Sequence, residues 1–456
     1  MAGGLAREVI RSMRSAFPFD SRPGRHDLIN LRDNENPFGG PHRHYPDNRN
    51  GDLVAAYARA LDAVEIAPAP GGPEWHWGAD SILITRGAAD GLDLIFRTFF
   101  EPGSDAVAVT PPSFAIFDEL AAVYRIARHP VPLLGENLDR LDVGRLAALP
   151  VKGVILCDPG NPTGTCLAPE DVLLLLDSFR GLVVIDEAYV ECSGRPSYRH
   201  LIPDRPNLVV VRSMSKALGM AALRLGAVLA HPELLLALRK ARLPFALPGP
   251  VTAQAMTELS QLAMLRGQIE AFAGERDRFA AELAGCPRVG RVFAEAGFVT
   301  IEGDPDLAAE LRRAGFDTMP EPMGWPGHVR ISVGRPSANS RLIAALKAAP
   351  RAAQAPKTTP ETGPETGPGT APETAPETAP ETAQTPGTTR TAGTAHSPGV
   401  TRETGTGAST GAGAGAGVEP ATGAKTRAAW ALRTARTAQA PQTAWSPRSQ
   451  GKGRQT

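Results

Sequence analysis

The sequence has few cysteines, few aromatic residues and no excess of charge of either sign. Its four cysteines, Cys157, Cys166, Cys192 and Cys286, stand in unrelated contexts without a CxxC pair. We therefore expect reduced thiols, with no disulfide framework and no metal site. Lysines and arginines number 48 against 48 acids, which gives no reason to expect a specific nucleic-acid partner.

Long apolar runs are also missing. The N-terminus, MAGGLAREVIRSMRSAF, has mixed charge and no continuous apolar core, and no later stretch is long and apolar enough to span a bilayer. We expect a cytoplasmic protein without a membrane partner. The chain does have 456 residues and an apolar fraction of 42%, which suffices for a sizeable core. Small-molecule substrates are the favoured partners.

The composition changes near Pro350. From there the chain consists mainly of Thr, Ala, Pro and Gly, including the repeat PETGPETGPGTAPETAPETAPET and the run GAGAGAG. Such a segment buries too little apolar surface to offset its ordering entropy, which predicts a disordered tail over residues 350–456. After Glu419 the tail has basic residues and no acids. Their scatter favours a solvated end over a weak polyanion contact.

Up to Ala349, short β-rich runs alternate with helix-like segments. The runs are SILIT, AVAVT, GVILCDP, LVVIDEA and NLVVVRS. This alternation predicts an α/β fold with a mostly parallel sheet covered by helices on both faces. Because ligands bind beyond the carboxyl ends of the strands in such sheets, the residues that follow each run are the candidates for chemistry.

Two of these strand ends are turns of small residues. The segment from Gly87 to Gly91, GAADG, would open a helix with free backbone N–H groups, which suits a phosphate. Simple turn chemistry is the competing interpretation. The turn DPGNPTG fixes the amide of Asn161 at a rigid point. That amide would hydrogen-bond either a ring oxygen or only its own turn.

A third strand, VVIDEAY, runs into Asp186, and Tyr189 follows shortly after. A carboxylate at the end of a buried strand needs a cationic or hydrogen-bonding partner. Facing a pyridine nitrogen, Asp186 would keep that nitrogen protonated and make the ring an electron sink. Metal ligation and a structural ion pair are the alternatives.

The most specific pattern is NLVVVRSMSKALGMAALRLG, in which Ser213, Ser215 and Lys216 follow a strand and Arg224 comes eight residues after the lysine. A nucleophilic lysine must be partly unprotonated, which a nearby arginine and limited solvation both promote. The two serines and Arg224 would hold a phosphate beside it. Further on, HVRISVG places Arg330 in a short β-like run, where its planar fork would take a carboxylate or phosphate bidentately.

Taken in order, NENPFG, HYPD, TRGAADG, PPSFAIF, DPGNPTG, IDEAYVE, SMSKALGMAALRLG and HVRISVG resemble the histidinol-phosphate aminotransferase family of fold-type I pyridoxal-phosphate enzymes. The resemblance runs from about Leu5 to about Leu346. It implies a large cofactor-binding domain with a mostly parallel sheet and a smaller α/β domain. The expected division is an N-terminal arm with part of the small domain at 1–44, the large domain at 45–245, the small domain at 246–349 and the tail at 350–456.

The resemblance also implies pyridoxal 5'-phosphate as the cofactor. Lys216 would form the Schiff base and shuttle the proton between the substrate alpha carbon and the cofactor's C4' carbon, and Asp186 would face the ring nitrogen. The other implied cofactor contacts are Asn161 and Tyr189 at the phenolic oxygen, Phe114 on the ring face, and Ala88, Ala89, Ser213, Ser215 and Arg224 at the phosphate.

Two further roles follow from the same resemblance. Tyr45 in HYPD would reach the phosphate of the neighbouring subunit's cofactor, which implies a homodimer. Arg330 would bind the carboxylate of glutamate in one half-reaction and the substrate phosphate in the other. The implied chemistry is a ping-pong exchange of an amino group between an amino donor, foremost L-histidinol phosphate, and 2-oxoglutarate.

Three positions depart from the family. Phe114 replaces the usual tyrosine, Gly297 stands where relatives commonly carry asparagine, and the N-terminal substrate-binding tyrosine is replaced by Ala16 or Phe17, depending on alignment. Two lost hydroxyls favour a more apolar substrate pocket, because a buried phosphate needs several donors. An aromatic or other amino-acid aminotransferase therefore stays open.

Two other functions also stay open. One is a decarboxylase of an amino-acid phosphate on the same scaffold. The other is a binding module with a basic tail and decayed catalysis, against which the intact Lys216, Asp186, Asn161 and Arg224 argue.

Overall fold

A computed structural model of the protein describes residues 2–14, 29, 31–66, 75–304 and 306–348. The tail predicted at 350–456 lies outside the described residues, and so do Ala16 and Phe17. Within the described residues there is no helix whose length and hydropathy would let it cross a membrane.

The described chain alternates between helices and strands, as the sequence predicts. The strands are β1 (Ile82–Thr85), β2 (Ala106–Val109), β3 (Ala127–Pro130), β4 (Gly153–Cys157), β5 (Leu182–Asp186), β6 (Leu208–Ser213), β7 (Gly226–Ala230), β8 (Val289–Phe293), β9 (Phe298–Gly303), β10 (Met319–Pro320) and β11 (His328–Ser332). The α-helices are α1 (Glu8–Ser12), α2 (Gly51–Val64), α3 (Ala88–Phe99), α4 (Ile116–Val123), α5 (Val143–Ala148), α6 (Pro169–Ser178), α7 (Pro232–Ala241), α8 (Gly249–Leu259), α9 (Leu262–Ala284), α10 (Leu307–Arg313) and α11 (Pro336–Ala348).

Seven strands form the larger sheet, in the order β1-β7-β6-β5-β4-β2-β3. The neighbours from β3 to β6 are parallel, whereas β7 is antiparallel to both β1 and β6. Strands β4, β5, β6 and β7 are buried along their whole length, as expected for a sheet covered on both faces.

Each face of this sheet has its own apolar core. One core joins alternate strand residues such as Ile185 and Val210 to α2, α5, α6, α8 and the start of α9. The other joins Val184 and Val211 to α3, α4 and α7, and it includes Ala6 and Ile10 from the N-terminal segment. Because side chains alternate along a strand, neighbouring residues at a strand end point toward different cores.

The smaller sheet is antiparallel, in the order β10-β11-β9-β8. Its core includes Phe279 of α9, Leu311 of α10 and Leu342 of α11, packed on Val299 and Ile331. The prediction of a large, mostly parallel sheet with a smaller α/β part is therefore confirmed. The domain boundaries expected near residues 45, 246 and 350 stay a prediction.

Candidate active site

The predicted site residues follow β1, β4, β5 and β6 at the same edge of the larger sheet. Asn161 comes after β4, Asp186 ends β5, Ser213 ends β6, and Ala88 begins α3 after β1. Strands β4, β5 and β6 are adjacent, and the first residue of β7, Gly226, pairs with both Ser213 and Thr85. The sheet therefore brings residues from distant parts of the sequence to one edge.

At one side of this edge, polar groups surround the N-terminus of α3. Arg224 donates from Nη1 to Ser215 Oγ at 3.4 Å, and the Ser215 backbone N–H donates to Ser213 Oγ at 3.2 Å. The Arg224 Nη2 atom lies 3.2 Å from the place that a Cβ on Gly87 would occupy. Backbone amides, two hydroxyls and a guanidinium thus converge where Ala88 and Ala89 open the helix, an arrangement suited to a phosphate.

We call this group of donors, formed by Ala88, Ala89, Ser213, Ser215 and Arg224, the phosphate cup. Two further residues that shape it, Gly226 and Thr85, were not identified from the sequence. A Cβ on Gly226 would lie 2.5 Å from the Ala88 nitrogen and 2.5 Å from the Gly87 carbonyl carbon, so only glycine lets β7 run this close to the cup. The Thr85 hydroxyl donates to the Gly87 carbonyl at 2.9 Å. A lone Gly at the start of an apolar run was the one available signal for Gly226.

Asp186 is 2% exposed, and its Oδ1 accepts from the Ala188 backbone N–H at 3.1 Å. Burial raises the pKa of its carboxyl to about 6, although this hydrogen bond and the positive charge of Lys216 oppose the rise. Among the described residues, no other hydrogen-bond donor reaches this carboxylate. It is therefore a buried acid that lacks a strong partner.

Lys216 lies close enough to Asp186 for their charges to interact, and it also contacts Tyr189. The Lys216 Nζ atom is 5.5 Å from the centre of the Tyr189 ring. Lys216 is an exposed residue, but partial desolvation of its amine lowers its pKa, and the charge of Arg330 lowers the pKa further. The Tyr189 ring is buried edge-on against Phe298 at 5.2 Å, and burial raises the pKa of its hydroxyl.

Arg330 reaches this site from the smaller sheet. Its Nη1 atom donates to Asn161 Oδ1 at 2.6 Å, and its guanidinium lies 5.1 Å from the centre of the Phe298 ring. The neighbouring strand supports the same contact, because the Thr300 hydroxyl donates to the Pro162 carbonyl at 2.6 Å. The predicted amide and the predicted substrate-binding cation are thus direct neighbours.

The turn that carries Asn161 is held by a second buried acid, Asp158. Its carboxylate accepts from the Tyr198 hydroxyl at 2.9 Å and from the Leu167 backbone N–H at 3.0 Å. Its own N–H donates to the Asp186 carbonyl at 3.0 Å, and burial raises the pKa of its carboxyl to about 6. Asp158 therefore couples the turn to β5.

Residues 295–297 fasten the smaller sheet to the same turn. The Glu295 backbone N–H donates to the Gly164 carbonyl at 2.6 Å, and its carboxylate accepts from the Cys166 N–H at 2.7 Å and from Arg195 at 3.1 Å. A Cβ on Gly297 would lie 3.2 Å from Tyr189 Cδ1. The glycine that departs from the family pattern thus borders the tyrosine expected at the cofactor.

Two predicted residues lie farther from these contacts. Phe114 is half-buried and packs edge-on against Phe117 at 6.1 Å. Tyr45 is 51% exposed and rests on Phe245 at 4.8 Å. All four cysteines are buried and unpaired.

The geometry fits a phosphorylated pyridine cofactor. Asp186 lacks a strong partner, which a protonated ring nitrogen would supply, and the cup beside Arg224 converges donors on a space suited to an anion. Lys216 lies between them with a lowered pKa, as an amine nucleophile requires.

The comparisons with known proteins agree. Residues 45–346 match the model of the aminotransferase class I and II family. A histidinol-phosphate aminotransferase of Symbiobacterium thermophilum is 34% identical over 364 residues, which cover 75% of this chain and 98% of that protein. The crystal structure of histidinol-phosphate aminotransferase from Sinorhizobium meliloti in complex with pyridoxal-5'-phosphate is 26% identical, has a TM-score of 0.57, and matches 67% of this chain and 82% of that one.

A third relative shares the fold. The crystal structure of L-threonine-O-3-phosphate decarboxylase from Porphyromonas gingivalis is 24% identical, has a TM-score of 0.54, and matches 67% of this chain and 93% of that one. The family match and the first two relatives identify the cofactor as pyridoxal 5'-phosphate and the substrates as amino and oxo acids. The chain belongs to the class I and II aminotransferases, and within them to the histidinol-phosphate aminotransferase family.

Proposed function

We propose that the protein transfers an amino group from L-histidinol phosphate to 2-oxoglutarate, with Lys216 as the attachment point of the cofactor. The observation that carries this proposal is the contact between Arg330 and Asn161 at 2.6 Å, beside Tyr189 and Lys216. This contact brings Arg330, the proposed binder of the substrate's acidic group, next to Asn161, a proposed contact of the cofactor ring.

The cofactor supplies a pyridine ring that accepts the electron pair of the substrate's alpha carbon. In the proposed site, Asp186 would hold a proton on the ring nitrogen, and Asn161 and Tyr189 would donate to the phenolic oxygen. The phosphate would be held by Ala88, Ala89, Ser213, Ser215 and Arg224, and Phe114 would pack on the ring. The contacts of Asp186 and Arg224 described above support these roles.

Lys216 has two proposed tasks. Its amine would hold the cofactor through the aldehyde group, with release of water, and, once free, it would carry a proton to and from the substrate's alpha carbon. Both tasks need an unprotonated amine. Burial and the positive charge of Arg330 lower the pKa of Lys216 in this direction.

Arg330 is the proposed substrate anchor. Its fork binds a carboxylate with two parallel hydrogen bonds, and the stack on Phe298 together with the bond to Asn161 fixes its orientation. Because glutamate and the second substrate occupy this site in turn, both half-reactions use the same cation.

A test of the lysine is direct. Purified protein mixed with pyridoxal 5'-phosphate should develop a visible absorption band, and Lys216→Ala should lose it. Lys240→Ala is the matched control, since Lys240 is bonded to the Arg11 carbonyl away from the site. A band that survived in Lys216→Ala would overturn the assignment.

A second candidate is an aromatic amino-acid aminotransferase. The observation in its favour is the apolar surroundings of Gly297, whose would-be Cβ meets Tyr189 at 3.2 Å and Phe272 at 3.4 Å. Candidate amino acids added one at a time separate the two, because a true donor converts the bound cofactor to its amine form and abolishes the visible band. Conversion by phenylalanine but not by histidinol phosphate would show that the amino donor is an aromatic amino acid. Carbon dioxide release would instead indicate the decarboxylase.

The proposal includes a homodimer in the cytoplasm. Tyr45 is half exposed on Phe245, as suits a residue that reaches a neighbouring subunit's cofactor, and four unpaired thiols suit a reducing compartment. Sedimentation analysis of the holoenzyme should give twice the chain mass, and Tyr45→Phe should weaken cofactor binding. A monomer with full activity would contradict this part.

A further inference from the structure

Arg212 is a fully buried arginine on β6, directly before Ser213. Because side chains alternate along a strand, Arg212 points to the same face of the sheet as Val210, which lies in the core beside α2. Asp186 points to the same face as Val184, which lies in the opposite core. The guanidinium therefore lies under the strand-end edge, on the face of the sheet away from Asp186.

The guanidinium is held by three buried glutamates. Nη1 donates to Glu65 Oε1 at 2.5 Å and to Glu187 Oε2 at 3.2 Å, and Nη2 donates to Glu191 Oε1 at 2.8 Å. The side chains of Glu187 and Glu191 are 0% exposed and that of Glu65 is 4% exposed. Buried charges of this kind persist only with close partners, which the three glutamates supply, although Arg212 Nε and Glu191 Oε2 have no hydrogen-bond partner among the described residues.

Two of these glutamates bracket Tyr189. Glu187 directly follows Asp186, and Glu191 lies two residues beyond the tyrosine, in the 3-10 turn Val190–Cys192. The Arg212 guanidinium thus hydrogen-bonds to a glutamate at each end of the segment 187–191, which carries Tyr189. Glu187 is fastened further by the Ser197 hydroxyl at 2.5 Å.

The backbone of Arg212 belongs to the phosphate side of the site. Its carbonyl oxygen would lie 2.8 Å from a Cβ on Gly226, and the next residue is Ser213. A single residue therefore links the strand end at the phosphate cup with the turn at the ring.

We propose that Arg212 is a positioning residue that orients Asp186 and Tyr189 toward the cofactor ring through Glu187 and Glu191, without touching the ring itself. This inference rests on the proposed function. A hydrogen bond weakens steeply when its geometry is displaced by a fraction of an ångström. Loss of the hydrogen bond from Arg212 to Glu187 or to Glu191 would therefore weaken the proposed contacts of Asp186 and Tyr189 with the cofactor ring.

The first test is Glu191→Gln, which keeps the shape of the side chain and removes its negative charge from the contact with Arg212. We expect cofactor binding about 5- to 30-fold weaker, less than for a direct loss of one charge-assisted hydrogen bond to the cofactor, because Glu191 acts only through Arg212 and the segment that carries Tyr189. We also expect the pH midpoint of the visible band to shift. The titratable and charged groups that act on Asp186 and Tyr189 are Lys216, Arg330, Cys157 and Cys192, and they are unchanged in this variant.

Asp62→Asn is the matched control. Asp62 is the exposed end of the same network, 62% exposed, and it contacts Arg199 at 2.8 Å rather than Arg212. Its replacement should leave the band and the cofactor affinity unchanged.

Arg212→Lys and Arg212→Met extend the test. Lysine keeps the charge and loses the fork, so it should recover part of the affinity and of the band position that methionine loses. If Glu191→Gln and Arg212→Lys lowered the melting temperature but kept the wild-type affinity and band, Arg212 would be structural only. A wild-type protein that formed no band would instead refute the proposed function.

Discussion

Replacement of Gly226 by alanine should damage the cofactor site through a contact between backbones. The added Cβ would lie 2.5 Å from the Ala88 nitrogen, 2.5 Å from the Gly87 carbonyl carbon and 2.8 Å from the Arg212 carbonyl oxygen. Ordinary contacts between such atoms begin near ~3.5 Å, so something must move by about 1 Å. All three neighbours are backbone atoms, and no flexible side chain can yield.

Two magnitudes follow. Overpacking of this kind costs about 1–3 kcal/mol, and we expect the upper half of that range for the free energy of unfolding of the apoprotein. A shift of about 1 Å at Ala88 would also break at least one of the proposed hydrogen bonds to the phosphate, which is worth about 1.5–3 kcal/mol when the acceptor is charged. Cofactor binding should then weaken by roughly 10- to 100-fold.

Guanidinium unfolding and a cofactor titration measure the two effects. The control is Gly274→Ala in the middle of α9, where nothing lies within 4 Å of the added Cβ. The same substitution should stabilise the protein there by about 0.5–1 kcal/mol and leave cofactor binding unchanged. A Gly226→Ala protein that matched the wild type in both measurements would contradict the expected backbone clash.

Three further predictions concern the acid, the substrate anchor and the tail. Asp186→Asn should stabilise the apoprotein at pH 8 by up to about 3 kcal/mol, because burial raises the folded pKa from 3.8 to about 6 and so destabilises the ionised form. The difference in the free energy of unfolding between variant and wild type should grow as pH rises from about 4 to 6 and vanish below about pH 4. Denaturant unfolding at a series of pH values measures it, and equal stabilities at pH 8 would contradict the prediction. Arg330→Lys should raise the KM for glutamate by about 10- to 100-fold with a smaller change in kcat, since lysine cannot form the paired bonds; an unchanged KM would remove Arg330 as the anchor. A chain ending at Ala349 should keep its kcat/KM, because the family match ends at residue 346, and lost activity in steady-state assays would refute this.

The sequence was sufficient for contacts that one short segment contains. Asp186 with Tyr189, and Lys216 with Ser213, each follow a single apolar run, so the strand that predicts them also positions them. The parallel sheet then brings the runs together, so Asn161, which follows β4, lies at the same edge as Asp186 at the end of β5; its role at the cofactor stays a prediction.

The sequence was insufficient where a role depends on a crossing between distant segments. Gly226 matters because β7 inserts between β6 and β1, and its run, GAVLA, was not among the predicted strands. Arg212 looked like an ordinary residue beside Ser213, since its glutamate partners at 65, 187 and 191 lie far from it in sequence. Tyr45 needs a second chain to acquire its proposed contact.

The hairpin formed by β6 and β7 encloses the loop that carries Lys216 and Arg224. Ser213 and Gly226 are paired residues at its mouth, and Met214 N–H bonds the Leu225 carbonyl at 3.0 Å just beyond them. Lys216 and Arg224 both lie inside this closed loop, so their separation is set locally. Arg330 belongs to another sheet. With Arg330 as the proposed substrate anchor, mutations in the smaller sheet can change which acids bind while Lys216 and Arg224 keep their separation.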